Sequence, residues 1–148
     1  MRRITQTKPN CWSVCLACLL DMPEEDVPDF VGMTDDYPWL DLAREWLADR
    51  GIAVLVIHGG DDPLNALPCD LVAANVLWVA GGPPGACDVE RSERHAVIYR
   101  GGELEWDPHP SKVGLAAVHT VFAFLPISPA DIRHHECMSG GYPVGKLP

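Results

Sequence analysis

The chain has 148 residues, 47% of them hydrophobic and 22% charged, with a formal net charge of −10. That is the length of one domain, and the apolar content is enough to bury a core without covalent staples. The acidic balance excludes a broad nucleic-acid or anionic-membrane surface, because such partners are held by clustered Lys and Arg, whereas neutral or basic peptide-like substrates fit it.

In chain order, Met1-Arg2-Arg3-Ile4 is not followed by the apolar stretch of a signal peptide, and no run reaches membrane-spanning length, so a cytoplasmic location is expected. Pro9 and Asn10 stop the first extended segment, with Asn10 as N-cap, and Cys11, Val14, Cys15, Cys18 and Leu19 recur at helical spacing to about Asp21. Met22 to Pro28 reads as a stop and one acidic helical turn. A second helix opens at Pro38, turns Trp39, Leu42, Ala43, Trp46 and Leu47 to one face, and ends at Gly51 before a strand from Ile52 to Ile57. His58 to Pro68 reads as loop, and Val76 to Val79 as the next strand. Gly81-Gly82-Pro83-Pro84-Gly85 is expected to break regular structure, and the polar residues through Arg94 to form either a loop beside the site or a connector with no substrate role. His95 to Asp107 is a hairpin, Val118 to Leu125 a last apolar strand, and the residues after Pro126 an extended tail. The domain is thus 1–125 and the tail 126–148.

Two places carry chemistry. Cys11 falls in the first turn of its helix, where unpaired N–H groups and the positive end of the dipole favour a thiolate, and a neighbouring imidazolium favours it further. In the hairpin, a two-residue Gly101-Gly102 turn puts Asp107 on the face opposite His95. A three-residue loop, Arg100 to Gly102 with Gly102 left-handed, sets His95 against Asp107 and groups Ala96, Ile98, Leu104 and Trp106 on the core face. The chemistry of a nucleophile, a base and an orienting acid selects the second loop.

With Gln6, Cys11-Trp12, His95 and Asp107 in this order, the chain resembles small papain-like cysteine peptidases from about Gln6 to Leu125. It is most similar to the branch of bacteriocin-processing, double-glycine leader peptidases and their single-domain bacterial and phage relatives. The stretch Asp107-Pro108-His109-Pro110-Ser111 is similar to the Asp-Pro turn that ends the histidine hairpin there. The resemblance implies an α+β papain-like fold, N-terminal helices packed on an antiparallel β-sheet. It also implies a thiol hydrolase in which Cys11 attacks an amide or related acyl carbon, His95 moves the proton, Asp107 orients His95, and Gln6 with the Cys11 N–H holds the oxyanion. Gln6 stands five residues before Cys11, one fewer than is usual in papain-like chains. Trp12, Gly81 and Gly82 are the expected substrate-binding residues, the partner is a peptide or protein, and no cofactor or metal is called for. Hydrolysis and acyl transfer are not distinguished by these residues.

Other classes compete. A binding module of the same fold would retain Cys11 and His95 without chemistry. Cys11-x3-Cys15-x2-Cys18 matches the spacing that holds an iron-sulfur cluster, but a helix beginning at Cys11 spreads the sulfurs along a stripe. His134, His135 and Cys137, with His109, lack the paired spacing of a structural zinc site. For the six cysteines, reduced thiols are the better reading, because Cys11, Cys15 and Cys18 on one helix cannot form well-made bridges with each other.

Overall fold

The structure is a computed structural model, which describes residues 1–32, 39–58, 75–85 and 95–127. Helix α1 spans Cys11–Leu20 and is followed by a short 3-10 turn at Glu24–Asp26. Helix α2 spans Trp39–Ala48, and the strands are β1 (Ile52–His58), β2 (Leu77–Gly82), β3 (His95–Arg100), β4 (Glu103–Trp106) and β5 (Thr120–Pro126). The strands form one antiparallel sheet in the order β1-β5-β2-β3-β4, so the architecture is α+β. Pro38, the expected opener of α2, lies outside the described residues, as do 59–74, residues 86–94 expected as a loop, and residues 128–148 expected as a tail, with His134, His135 and Cys137. Among the described residues, no helix is long and apolar enough to cross a membrane.

Helix α1 is the centre of the core. Every residue from Trp12 to Cys18 is buried, so this helix is enclosed on all sides in its middle. It packs on one sheet face, against Val79, Ala96, Ile98 and Phe122, where Ala43 and Leu47 of α2 join it. The alternate residues Trp78, Ala80, Val97 and Val121 point to the other face and are covered by Leu115 and Val118. Both faces of the central strands are therefore occupied, which fits the nearly continuous apolar reading of β2 and β3.

Three local expectations are corrected. The β3–β4 turn is the two-residue one, with Arg100 opposite Glu103 and Gly101, not Gly102, left-handed at φ +58°. Leu104 consequently pairs with Tyr99 and is 45% exposed instead of joining the core face. The Gly-Gly-Pro-Pro-Gly run does not break structure at once: Gly81 and Gly82 complete β2, and Pro84 bridges Leu115. Asn10 holds the N-cap position but makes no side-chain cap bond; its Nδ2 donates to Glu24 Oε1 at 3.2 Å instead. The first-turn N–H groups of α1 are thus left unclaimed by the residue expected to cap them.

Candidate active site

The antiparallel order brings four strand ends together. His58 pairs with Thr120, Thr120 with Gly81, and Gly82 with His95, so the ends of β1 and β2 and the starts of β5 and β3 lie along one margin of the sheet. The N-terminus of α1, packed across β3, adds Asn10, Cys11 and Trp12, and α2 adds Trp39 and Leu40. Together they line a cleft of about 500 Å³ that also contains His95, Gly81, Gly82, Phe122 and His119. Cys11 is only partly buried, whereas Cys15 and Cys18 behind it are fully enclosed.

His95 and Asp107 meet although the expected loop is absent, and a β-bulge explains it. Tyr99 pairs with Leu104 but Ile98 pairs with Trp106, so Glu105 is an extra residue in β4. A regular two-residue hairpin would turn Asp107 to the Ala96 face; the inserted residue returns it to the face of His95 and Val97. His95 Nε2 donates to Asp107 Oδ1 at 2.9 Å, and both residues are buried. Asp107 is satisfied further by the His109 N–H on Oδ1 and the Gly114 N–H on Oδ2, each at 2.8 Å. Burial pushes the Asp107 carboxyl up, but these three donors outweigh it and hold the group below its ordinary value.

The same balance acts on His95. Burial lowers the imidazolium's stability, yet hydrogen bonds to Asp107 and Cys11, with the negative charge each carries when ionised, raise its pKa to about 9. Because Nε2 is committed to Asp107, Nδ1 is the ring nitrogen available to the Cys11 thiol. Burial pushes the thiols of Cys15 and Cys18 upward, and of the three α1 cysteines Cys11 alone lines the cleft. Cys18 is further tied into the core, its Sγ accepting from the Ile4 N–H at 3.3 Å. Among the described residues, no three Cys, His, Asp or Glu side chains converge to hold a metal ion.

Gln6 is placed differently. Its backbone N–H donates to Pro108 O at 2.9 Å, which docks the N-terminal segment on the Asp107 turn, but its side chain is not part of the cleft lining. Gln6 Oε1 is buried without a partner among the described residues. Trp12 lines the cleft and is 4% exposed, held edge-on against Trp39, Phe122 and Phe30. Gly81 and Gly82 both border the cleft. Sequence reasoning missed Gly114 as an Asp107 donor and Phe122, His58, His119 and Thr120 as cleft residues, because all reach the site by non-local pairing. Trp39 was legible only as a core-facing position of α2.

The chain matches no known protein family, no curated protein and no solved structure.

Proposed function

We propose that this chain is a cysteine-dependent hydrolase of papain-like design, acting on a peptide or another amide or acyl bond. The observation that carries the reading is the buried His95: one ring nitrogen bonded to a fully satisfied Asp107, the other turned to a thiol in the first turn of α1. The reading needs a Cys11 thiolate beside an imidazolium, and His95, raised to about 9, supplies the imidazolium at neutral pH. Cys11 Sγ then adds to the acyl carbon, and the Cys11 N–H stabilises the oxyanion, with Gln6 as the second donor if its carboxamide turns toward the cleft. The His95 imidazolium gives its proton to the leaving group as the carbon–nitrogen or carbon–oxygen bond breaks, leaving a thioester on Cys11 and a neutral imidazole. That imidazole takes a proton from water, whose oxygen attacks the thioester and releases the acid, restoring the ion pair. Asp107 keeps the ring oriented and stays ionised throughout.

The proposed setting is a reducing one such as the cytoplasm, since the chemistry needs a free thiol and the α1 cysteines are unpaired. The test is selective alkylation. Iodoacetamide at pH 7 is expected to modify Cys11 well before Cys15 and Cys18, and His95→Ala to slow that modification by roughly tenfold or more. Uniform labelling of the folded protein, or an unchanged rate in the variant, overturns the reading.

A further inference from the structure

The two glycines bordering the cleft are there for different reasons. A Cβ on Gly82 would collide with the Ala117 carbonyl oxygen, so that residue is glycine because backbone passes against it. A Cβ on Gly81 would meet only Phe122 Cε2 at 3.5 Å, Thr120 Cβ at 3.8 Å and the His95 carbonyl oxygen at 3.9 Å, all ordinary contacts. Gly81 also lacks a positive φ. Neither packing nor backbone geometry requires glycine there. What its missing side chain does is leave space in front of Phe122, at a strand position directly beside the partner of His95.

Aromatic side chains bound that space. Trp12, Trp39 and Phe122 pack against one another there, with Val31 and Leu40 also in the cleft lining, while its polar members are Asn10, His58, His95, His119 and Thr120. Resting on the hydrolase reading, we infer that Gly81 is a specificity-determining residue. The recess it opens accepts a large uncharged side chain, aromatic or branched aliphatic, carried on the acyl portion of the substrate. The acyl portion is assigned because it stays bound to Cys11 after the leaving group has gone, so a recess beside Cys11 holds it through both steps. A charged side chain is disfavoured there because lying against the faces of Trp12, Trp39 and Phe122 costs it hydration.

The experiment uses the full chain and N-acetyl aminoacyl chloromethyl ketones bearing glycine, leucine, phenylalanine, aspartate or lysine side chains, with the Cys11 adduct followed by intact mass. Wild type is expected to react with the phenylalanyl and leucyl reagents roughly tenfold or more faster than with the aspartyl and lysyl ones. Rates are divided by the iodoacetamide rate of the same protein. On that scale Gly81→Val is expected to lower the phenylalanyl rate by roughly tenfold, and Gly81→Ala, whose Cβ fits, by a smaller factor in the same direction. Equal rates across the wild-type panel, or a preference unchanged in both variants, overturns the inference. Loss of the hydrolase reading looks different, as unexceptional iodoacetamide labelling of Cys11. In that case tryptophan fluorescence on titration with N-acetyl-phenylalaninamide and N-acetyl-aspartamide decides the recess: preferential phenylalanine binding, weakened in Gly81→Ala, supports it, and none overturns it.

Discussion

Asp107 is held by three donors, and this decides what its neutral replacement does. Asparagine has one acceptor oxygen and an NH2 group, so in Asp107→Asn one of the N–H groups from His95, His109 or Gly114 faces another donor. The variant is expected to lose about 1–3 kcal/mol of stability in urea unfolding, since a buried donor is left unpaired. His95 loses its strongest support at the same time. Its pKa is expected to fall toward the ordinary range and, on the proposed mechanism, Cys11 alkylation at pH 7 to slow by roughly tenfold. An Asp107→Asn protein as stable and as reactive as wild type shows that the carboxylate does not position His95. Gln6 is a different case. Held by its backbone and not by its carboxamide, Gln6→Ala is expected to leave alkylation by iodoacetamide, which forms no oxyanion, almost unchanged. If Gln6 supplies a donor, hydrolysis of an activated ester falls by about 10²-fold in the same variant, and equal effects in both assays remove it from the oxyanion site.

At the scale of elements, the hairpin shows why residue identities were legible and their arrangement was not. His95 and Asp107 were readable as partners by chemistry, but the loop deduced to join them was wrong, because two structural devices can place Asp107 on the same face. One is a longer turn; the other is a tight turn with a bulge, and the chain uses the second. The signal was present in the pattern. A Gly-Gly turn sets Arg100 against Glu103, whereas burial of Ile98 and Trp106 on one face demands one residue more in β4, and Glu105 is that residue. Its extra position is accommodated by ion pairs with Arg3 and Arg100, so the bulged side chain has partners at the surface. The turn makes a sharp forecast. Gly101 is left-handed, its carbonyl accepts from Trp78 Nε1 at 2.7 Å, and Gly101→Val is expected to cost about 2 kcal/mol, with Gly102→Val costing less. The reverse order in thermal denaturation would show that the three-residue loop forms in solution. Gly82→Ala is expected to destabilise by about 1–3 kcal/mol, because the 113–119 segment that brings the Gly114 N–H to Asp107 must move away from β2.

The whole molecule adds what no local pattern holds, the order of strands in the sheet. Helix α1 was legible because its spacing is local, but β5 lies between β1 and β2, and only that insertion carries Phe122, Thr120 and His119 to the cleft. The buried pair at the cleft also imposes a property on the folded chain as a unit. His95 has a folded pKa of about 9 against an ordinary value of 6.5, so between these values the folded protein binds more protons at His95 than the unfolded chain does. The stability this group contributes is therefore complete below about pH 6.5 and is lost as pH rises through 9. Asp107 is depressed, so its contribution has the opposite sense: present above the ordinary carboxylate value of 3.8 and lost as pH falls through its folded pKa. Thermal midpoints are thus expected to fall between pH 6.5 and 9 in wild type, beyond what the other groups produce. His95→Gln, which cannot titrate, should flatten that interval. Cys11→Ser should flatten it only in part, because the hydrogen bond from His95 to Asp107, the largest single cause raising the imidazole, is kept. A wild-type profile over that interval identical to that of His95→Gln would show that the imidazole is not held charged, and with it that the resting site is not an ion pair.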